Sequence, residues 1–335
     1  MRSYFVKRLL LIVPTLFGIS IVSFLIIHLA PGDPAALKYG DQEQAGNQVI
    51  TAQIIEETRA LYGLDQPLIV QYFRWVKRIL TFDFGESIRD RRPVIDKLKE
   101  RVPVSVKLSG ISLLLAYALS IPLGIYSAVR RHTAGERLTT VFMFALYSLP
   151  NFWLATMAIV YFGGGDFWNA FPVYGLRSSG SESWPWWRQM QDEAWHLILP
   201  VTCMTYYTLA VLSRYLRTGM LETIRQDFIR TARAKGLSER LVIYRHALRN
   251  SLIPIVTLMA DILPALIGGS IVIETLFSIP GMGLLSYEAV FSRDYPLLMG
   301  IFTLSALLTL VGILISDFLY TLVDPRIAHE KRIAI

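Results

Sequence analysis

Three acids stand in stretches otherwise almost free of charge: Asp261, Glu274 and Asp317. A carboxylate in an apolar run is costly, so by default it serves a function or a packing contact inside a helix bundle. Asp261 lies mid-run and is the sharper candidate, either lining a path or bonding one helix to another. Glu274 and Asp317 sit near the ends of their runs, where water is close, and a structural role is favoured for both. Asn151, Asp261 and Glu274 are the candidate polar residues for lining a path through these runs. Catalytic and nucleotide-binding patterns are missing. The chain has no G-x-x-x-x-G-K-[ST], G-x-S-x-G, H-E-x-x-H or C-x-x-C. Histidines 28, 132, 196, 246 and 329 show no metal-ligand spacing, and the single Cys203 has no internal partner. These features point to neither catalysis nor a metal.

The elements that hold these residues follow from composition. Of 335 residues, 53% are hydrophobic and 18% charged, with a mean hydropathy of +0.44. Ordinary soluble domains carry about 45–50% apolar and about 25% charged residues. The shift excludes a disordered chain, a coiled coil and a solvated nucleic-acid-binding domain. The net charge of +7 then reads as basic loops facing an anionic membrane leaflet.

Crossing the hydrocarbon takes about 20 apolar residues. Six stretches qualify: 9–30, 108–129, 138–165, 196–213, 251–273 and 295–316. The fourth, rich in Tyr and Thr, is the weakest. The first exceeds the about 7–15 residues of a signal-peptide core and lacks an A-x-A site, so it reads as an anchor. Pro14, Pro122, Pro150, Pro254 and Pro264 lie inside spans, where bundles tolerate kinks. The fold class is therefore all-α, a polytopic membrane protein of about six transmembrane helices. Loops on the side of the two termini hold 18 Lys and Arg, against 3 in the short loops opposite. Both termini are thus expected to be cytoplasmic. The expected organisation is a terminus and first helix over 1–30, an external helical cap over 31–102, a transmembrane core over 103–323 and a cytoplasmic tail over 324–335.

In the cap, 51–62 reads as a short helix, and Asp65 as the cap of a second with Pro67 in its first turn. Leu68, Tyr72, Trp75, Val76 and Ile79 share one face, expected to pack on the bundle, with the membrane surface as the alternative. Trp168, Trp184, Trp186, Trp187 and Trp195 in 166–195 read as an interfacial girdle. The basic loop 214–250 is the richest. Its first residues continue the fourth span as helix, and 226–235 form another helix ended by Gly236, a residue suited to positive φ. Ser238 then opens a third helix without the acid of a full capping box. Such an elbow presents a convex surface to a partner.

Several motifs together carry a resemblance: Pro31-Gly32-Asp33-Pro34, Phe84-Gly85-Glu86-Ser87, the 227–237 run DFIRTARAKGL, His246-Ala247-Leu248-Arg249-Asn250, the 274–283 run ETLFSIPGMG, Arg293-Asp294-Tyr295-Pro296 and Asp324-Pro325-Arg326. Over nearly its whole length the chain resembles the inner-membrane permease subunits of peptide-type ABC importers. The resemblance implies a type I ABC importer permease fold. It also implies that Asp227, Arg230, Thr231, Ala232, Arg233, Ala234, Lys235 and Gly236 dock into a cytoplasmic ATPase, although Thr231-Ala232-Arg233 replaces the Glu-Ala-Ala of general importers. The implied partners are a second homologous permease, two ATPase subunits holding ATP and Mg, an external binding protein and membrane lipid, with no nucleic acid and no cofactor on this chain. The implied location is the bacterial inner membrane. A stand-alone proton-coupled carrier is the competing reading; it requires paired ionisable residues within the spans.

Overall fold

The computed structural model describes residues 2–29, 65–81, 83–164, 167–252, 255 and 262–323. Asp261, Pro254, the expected 51–62 helix and both Asp-Pro motifs fall outside this set. Among the described residues the fold is helical, with only two isolated β-bridges and no strand.

In chain order the helices are α1 (Arg2–Leu29), α2 (Leu68–Leu80), α3 (Val94–Val129), α4 (Ala134–Ser148), α5 (Asn151–Phe162), α6 (Trp186–Ile224) and α7 (Asp227–Ala234). Next, α8 starts at Glu239–Leu241, widens to a π-helix over Val242–Ala247 and returns to α geometry at Leu248–Ser251. Then follow α9 (Ile262–Gly268), α10 (Ile271–Leu276), α11 (Met282–Phe291) and α12 (Tyr295–Val323). The 36-residue α3 and 39-residue α6 pack along each other as the central pair. Helices α3 and α6 and the 295–316 part of α12 are each long and apolar enough to cross a membrane.

The weakest expected span, 196–213, is thus the middle of the longest helix. In contrast, the run 138–165 is not one straight span: α4 and α5 meet at Leu149-Pro150 with a bend of 97°. Proline has no N–H to donate and pushes its predecessor out of helical geometry; Leu149 is extended, with ψ 127°. Tyr206 on α6 donates its hydroxyl to the freed Leu149 carbonyl at 2.9 Å. Pro14 and Pro122 stay inside continuous helices. The last part of the expected 251–273 span is also broken, at Gly269 and Ser270, between α9 and α10.

Much of the exterior is apolar. Leu114, Leu138, Val141 and Phe144 are 60–72% exposed, whereas soluble monomers rarely expose large contiguous apolar patches. Hydrocarbon and other subunits are the surroundings that suit such a surface. Trp168, Trp186, Trp187 and Trp195 are likewise exposed.

In α2, Pro67 itself occupies the N-cap position, without a side-chain capping bond. Asp65 therefore does not cap this helix; its carboxylate instead accepts from Gln66 Nε2 at 3.2 Å. Tyr72 is buried against Phe24 of α1, edge to face at 5.4 Å, and its hydroxyl meets Ser20 Oγ at 2.8 Å. The packed reading holds for Tyr72, Trp75 and Val76, which join a cluster with Phe24, whereas Leu68 at the start of the stripe is exposed. Ile69, Phe73 and Leu80, on the flank beyond it, stay exposed.

Candidate functional site

The elbow is built by a chain of local rules. Helix α6 stops at Ile224, and Gln226, extended at ψ 151°, begins the turn into α7. At the far end Gly236 has φ +77°. Its N–H reaches the Arg233 carbonyl at 2.9 Å, and the Leu237 N–H reaches Ala232 O at 3.4 Å. Both bonds are those of a Schellman ending, which satisfies carbonyls left open at a helix C-terminus. Nothing lies within 4 Å of the position a Cβ would take on Gly236. The demand for glycine there is conformational, not spatial. Ser238 stands at the N-cap position of α8, but its hydroxyl makes no capping bond.

Helix α7 has two faces. Ile229 and Ala232 are buried, in a cluster with Leu216, Met220, Val242, Ala247 and Ile255. Asp227, Phe228, Arg230, Thr231, Arg233, Ala234 and Lys235 are exposed. Ala232 therefore faces the chain's own core, and the surface left for a partner is carried by its neighbours. Phe228, absent from the expected set, is 43% exposed in the first turn. An apolar aromatic between Asp227 and Ile229 in a short basic helix was the available signal. Arg233 donates to Glu239 through Nε at 3.1 Å and Nη2 at 2.7 Å, bridging the elbow. Arg230 reaches Asp227 at 3.4 Å, and Thr231 Oγ1 bonds the Asp227 carbonyl at 3.0 Å.

The pathway candidates do not converge. Glu274 is fully buried, where its Oε1 accepts from Ser105 Oγ at 2.9 Å and Ser270 N at 3.2 Å, and its Oε2 from Leu284 N at 3.0 Å. Gly269, at φ +65°, and Gly281 enclose this carboxylate so closely that a Cβ on either would overlap it. Gly269 and Gly281 make room for an acid that ties the α9–α10 break to the start of α11, while Gly283 lies against the Ser270–Ile271 backbone of the same break. Asn151 opens α5 directly after the bend, and its Oδ1 is buried without a hydrogen-bond partner among the described residues. Asp317 lies in α12, with its side chain outside the described set.

At the end of the bundle away from the elbow, two motifs far apart in sequence meet. Asp294, 1% exposed, accepts hydrogen bonds from Ser87 Oγ, from Ile88 N at 3.1 Å and from Leu297 N at 3.3 Å. Lys97 donates to Ser87 Oγ at 3.2 Å and pairs with Asp90 at 2.8 Å. Burial pushes the Asp90 carboxyl up, but Lys97, Ser87 and the Arg92 N–H outweigh it and hold it at about 2. In the first turns of α6, Glu193 joins Lys107 to Arg177, the latter at 2.6 Å.

Comparison with known proteins decides what this arrangement belongs to. Residues 120–329 match the family described as binding-protein-dependent transport system inner membrane component, and residues 1–109 match its N-terminal region. The chain belongs to this family. It is 39% identical to the oligopeptide transport system permease protein AppB of Bacillus subtilis, covering 98% of this chain and all of that relative. It is 34% identical to the inner membrane ABC transporter permease protein YejB of Escherichia coli O157:H7, over 99% of this chain and all of YejB. The glutathione transport system permease protein GsiC of Escherichia coli K12 is 36% identical over 98% of the chain and its own full length. As a family member the chain is a permease subunit of an ABC transport complex, a transport component and not an enzyme. No group of residues able to hold a metal ion occurs among those described.

Proposed function

We propose that this permease forms half of the pathway by which an ATP-driven importer moves peptides or peptide-like solutes inward, and that the exposed face of α7 is where a cytoplasmic ATPase docks. The two-faced character of α7 carries the reading: Ile229 and Ala232 anchor it, while Phe228, Arg230, Thr231, Ala234 and Lys235 are left without an intramolecular cover. The solute class is supported by the oligopeptide and glutathione permeases among the relatives. The remaining parts would be a second permease, two ATPases that hold ATP and Mg, and an external binding protein. The basic elbow and both termini would face the cytoplasm, with 31–102 as the external cap, 103–323 as the core and 324–335 as the tail.

When the ATPases close on ATP, the anchored α7 would carry their motion into α6 and α8 and bias the spans between inward and outward states. Asn151 and Asp261 remain the proposed lining residues. Glu274 is better suited to holding the α9–α11 turn than to meeting solute. Its bonds to backbone N–H groups also weigh against the carrier reading, which needs ionisable groups free to exchange protons.

Vesicles containing the whole complex test the proposal. Uptake of a radiolabelled oligopeptide should require internal ATP and vanish on its depletion. Uptake that persists on a proton gradient alone would establish the carrier instead.

A further inference from the structure

Between α3, α4 and α6, towards the elbow end of the bundle, lies a cavity of about 290 Å³ whose wall includes Ser127, Phe144, Tyr147, Ser213, Arg214 and Arg217. Two polar atoms of this wall are orphaned. Ser213 Oγ and Arg217 Nε are shut off from solvent, and neither has a hydrogen-bond partner among the described residues. Ser213 is only 5% exposed. Buried polar groups are nearly always paired, by protein, water or an ion. An Arg Nε can only donate, and a Ser hydroxyl can donate. Both atoms can therefore donate to the same complement, an oxygen with free lone pairs.

Charge narrows that complement. Arg217 Nη2 is held by Glu136 at 2.7 Å, and the same Glu136 oxygen accepts from Thr140 Oγ1 at 2.9 Å. Arg214 makes no hydrogen bond or ion pair to a described residue; its guanidinium stands 6.0 Å from the centre of the Phe144 ring. Two guanidinium groups stand against one carboxylate, and the uncommitted charge is that of Arg214, an exposed residue at the mouth of the cavity. Water could fill the orphaned bonds, but an anion would do so and also meet that charge.

We propose that this cavity is an oxyanion site, taking one singly charged carboxylate or phosphate group through Ser213 Oγ, Arg217 Nε and the Arg214 guanidinium. Two sources carry this chemistry. An anionic phospholipid headgroup would place its acyl chains along the exposed Val141, Phe144 and Tyr147 of α4, an arrangement typical of basic pockets between membrane helices. The terminal carboxylate of a peptide-like solute is the other source, and only that one rests on the transport reading.

The test uses the full-length, delipidated chain in detergent, with no partner or ATP, so a failed transport assignment leaves it unaffected. In one arm, native mass spectrometry compares retention of phosphatidylglycerol with zwitterionic phosphatidylcholine. In the other, thermal unfolding compares added dialanine with dialanine amide. Preference for phosphatidylglycerol identifies the lipid source, and preference for dialanine the solute. In either case Arg214→Gln should weaken binding roughly tenfold, the worth of one charge-assisted hydrogen bond. Ser213→Ala should weaken it less, and Arg214→Lys, which keeps the charge, should retain most of it. The proposal is overturned if neither anionic probe is preferred over its neutral counterpart, or if Arg214→Gln and Ser213→Ala both bind like the wild type.

Discussion

Arg233 in the last turn of α7 grips Glu239 in the first turn of α8 with two hydrogen bonds, 3.1 and 2.7 Å long, across the Gly236 turn. On the inner side of the same turn, Leu237 packs against the cluster that holds Ile229 and Ala232. The Arg233 hydrogen bond holds the Glu239 carboxyl below the ordinary glutamate range. A depressed carboxylate contributes above its unfolded pKa and loses that contribution as pH falls through the folded value. The clamp is therefore complete at neutral pH and lost only in acid. Both side chains are exposed, so its value lies in fixing the angle between two helices more than in stability.

Gly236→Val should disturb that angle. Positive φ costs a residue with a Cβ about 1–2 kcal/mol, and no neighbour competes for the added space. Membrane insertion should be normal, while the amount of ATPase retained on purification drops several-fold. Gly236→Asn, which adopts left-handed geometry more easily, should be close to wild type. Equal retention in both variants would mean that the elbow's angle does not matter.

Ile229 and Phe228 are adjacent, yet one is fully buried and the other 43% exposed. Ile229→Ala should cost about 2–5 kcal/mol through lost burial and a cavity, seen as a lower melting temperature in detergent. Phe228→Ala should leave the melting temperature unchanged. Both should reduce ATPase retention, the first through the fold and the second at the contact itself.

The Gly236 ending and the division of 214–250 into helices were legible because glycine and apolar spacing are local signals. The role of Ala232 was not. Ile229 and Ala232, at i and i+3, share a face, but alanine is small enough for a core or a contact. Which one it serves depends on the buried cluster with Val242 and Ala247 of α8, contacts that no local pattern encodes. Helix α3 runs back to Val94, well before the apolar run at 108–129, because charged residues end a hydropathy signal without ending a helix. The bend at Pro150 was visible only as a proline, since Pro14 and Pro122 have the same local signature and leave their helices continuous. The Ser87–Asp294 bond spans 207 positions. Both of its motifs were recognised, but nothing in the chain says that they touch.

Asp294→Asn tests that bond. It replaces one acceptor oxygen by a donor, against the Ser87 hydroxyl or the Ile88 and Leu297 N–H groups. A cost of about 1–3 kcal/mol is expected for a buried donor left unpaired. The segment around Ser87 carries Arg89, Arg91 and Arg92, so trypsin should cleave there faster in the variant than in the wild type. Unchanged cleavage would show that other contacts hold the segment.

Glu274→Ala should strip the acceptor from Ser105 Oγ, Ser270 N and Leu284 N together. Expression and thermal stability should fall sharply. Glu274→Gln, which keeps one acceptor oxygen, should fold better and transport at a rate proportional to the protein recovered. A variant that folds normally but has lost uptake would return Glu274 to the solute pathway.

The most direct measurement of the docking claim is a photo-crosslinking scan along α7 in the assembled complex, one position at a time from Asp227 to Lys235. Crosslinks to the ATPase should peak at Phe228, Thr231 and Ala234, on the exposed face, and fall to background at Ile229 and Ala232. Crosslinks absent at every position, or strongest at Ile229 and Ala232, would contradict the account.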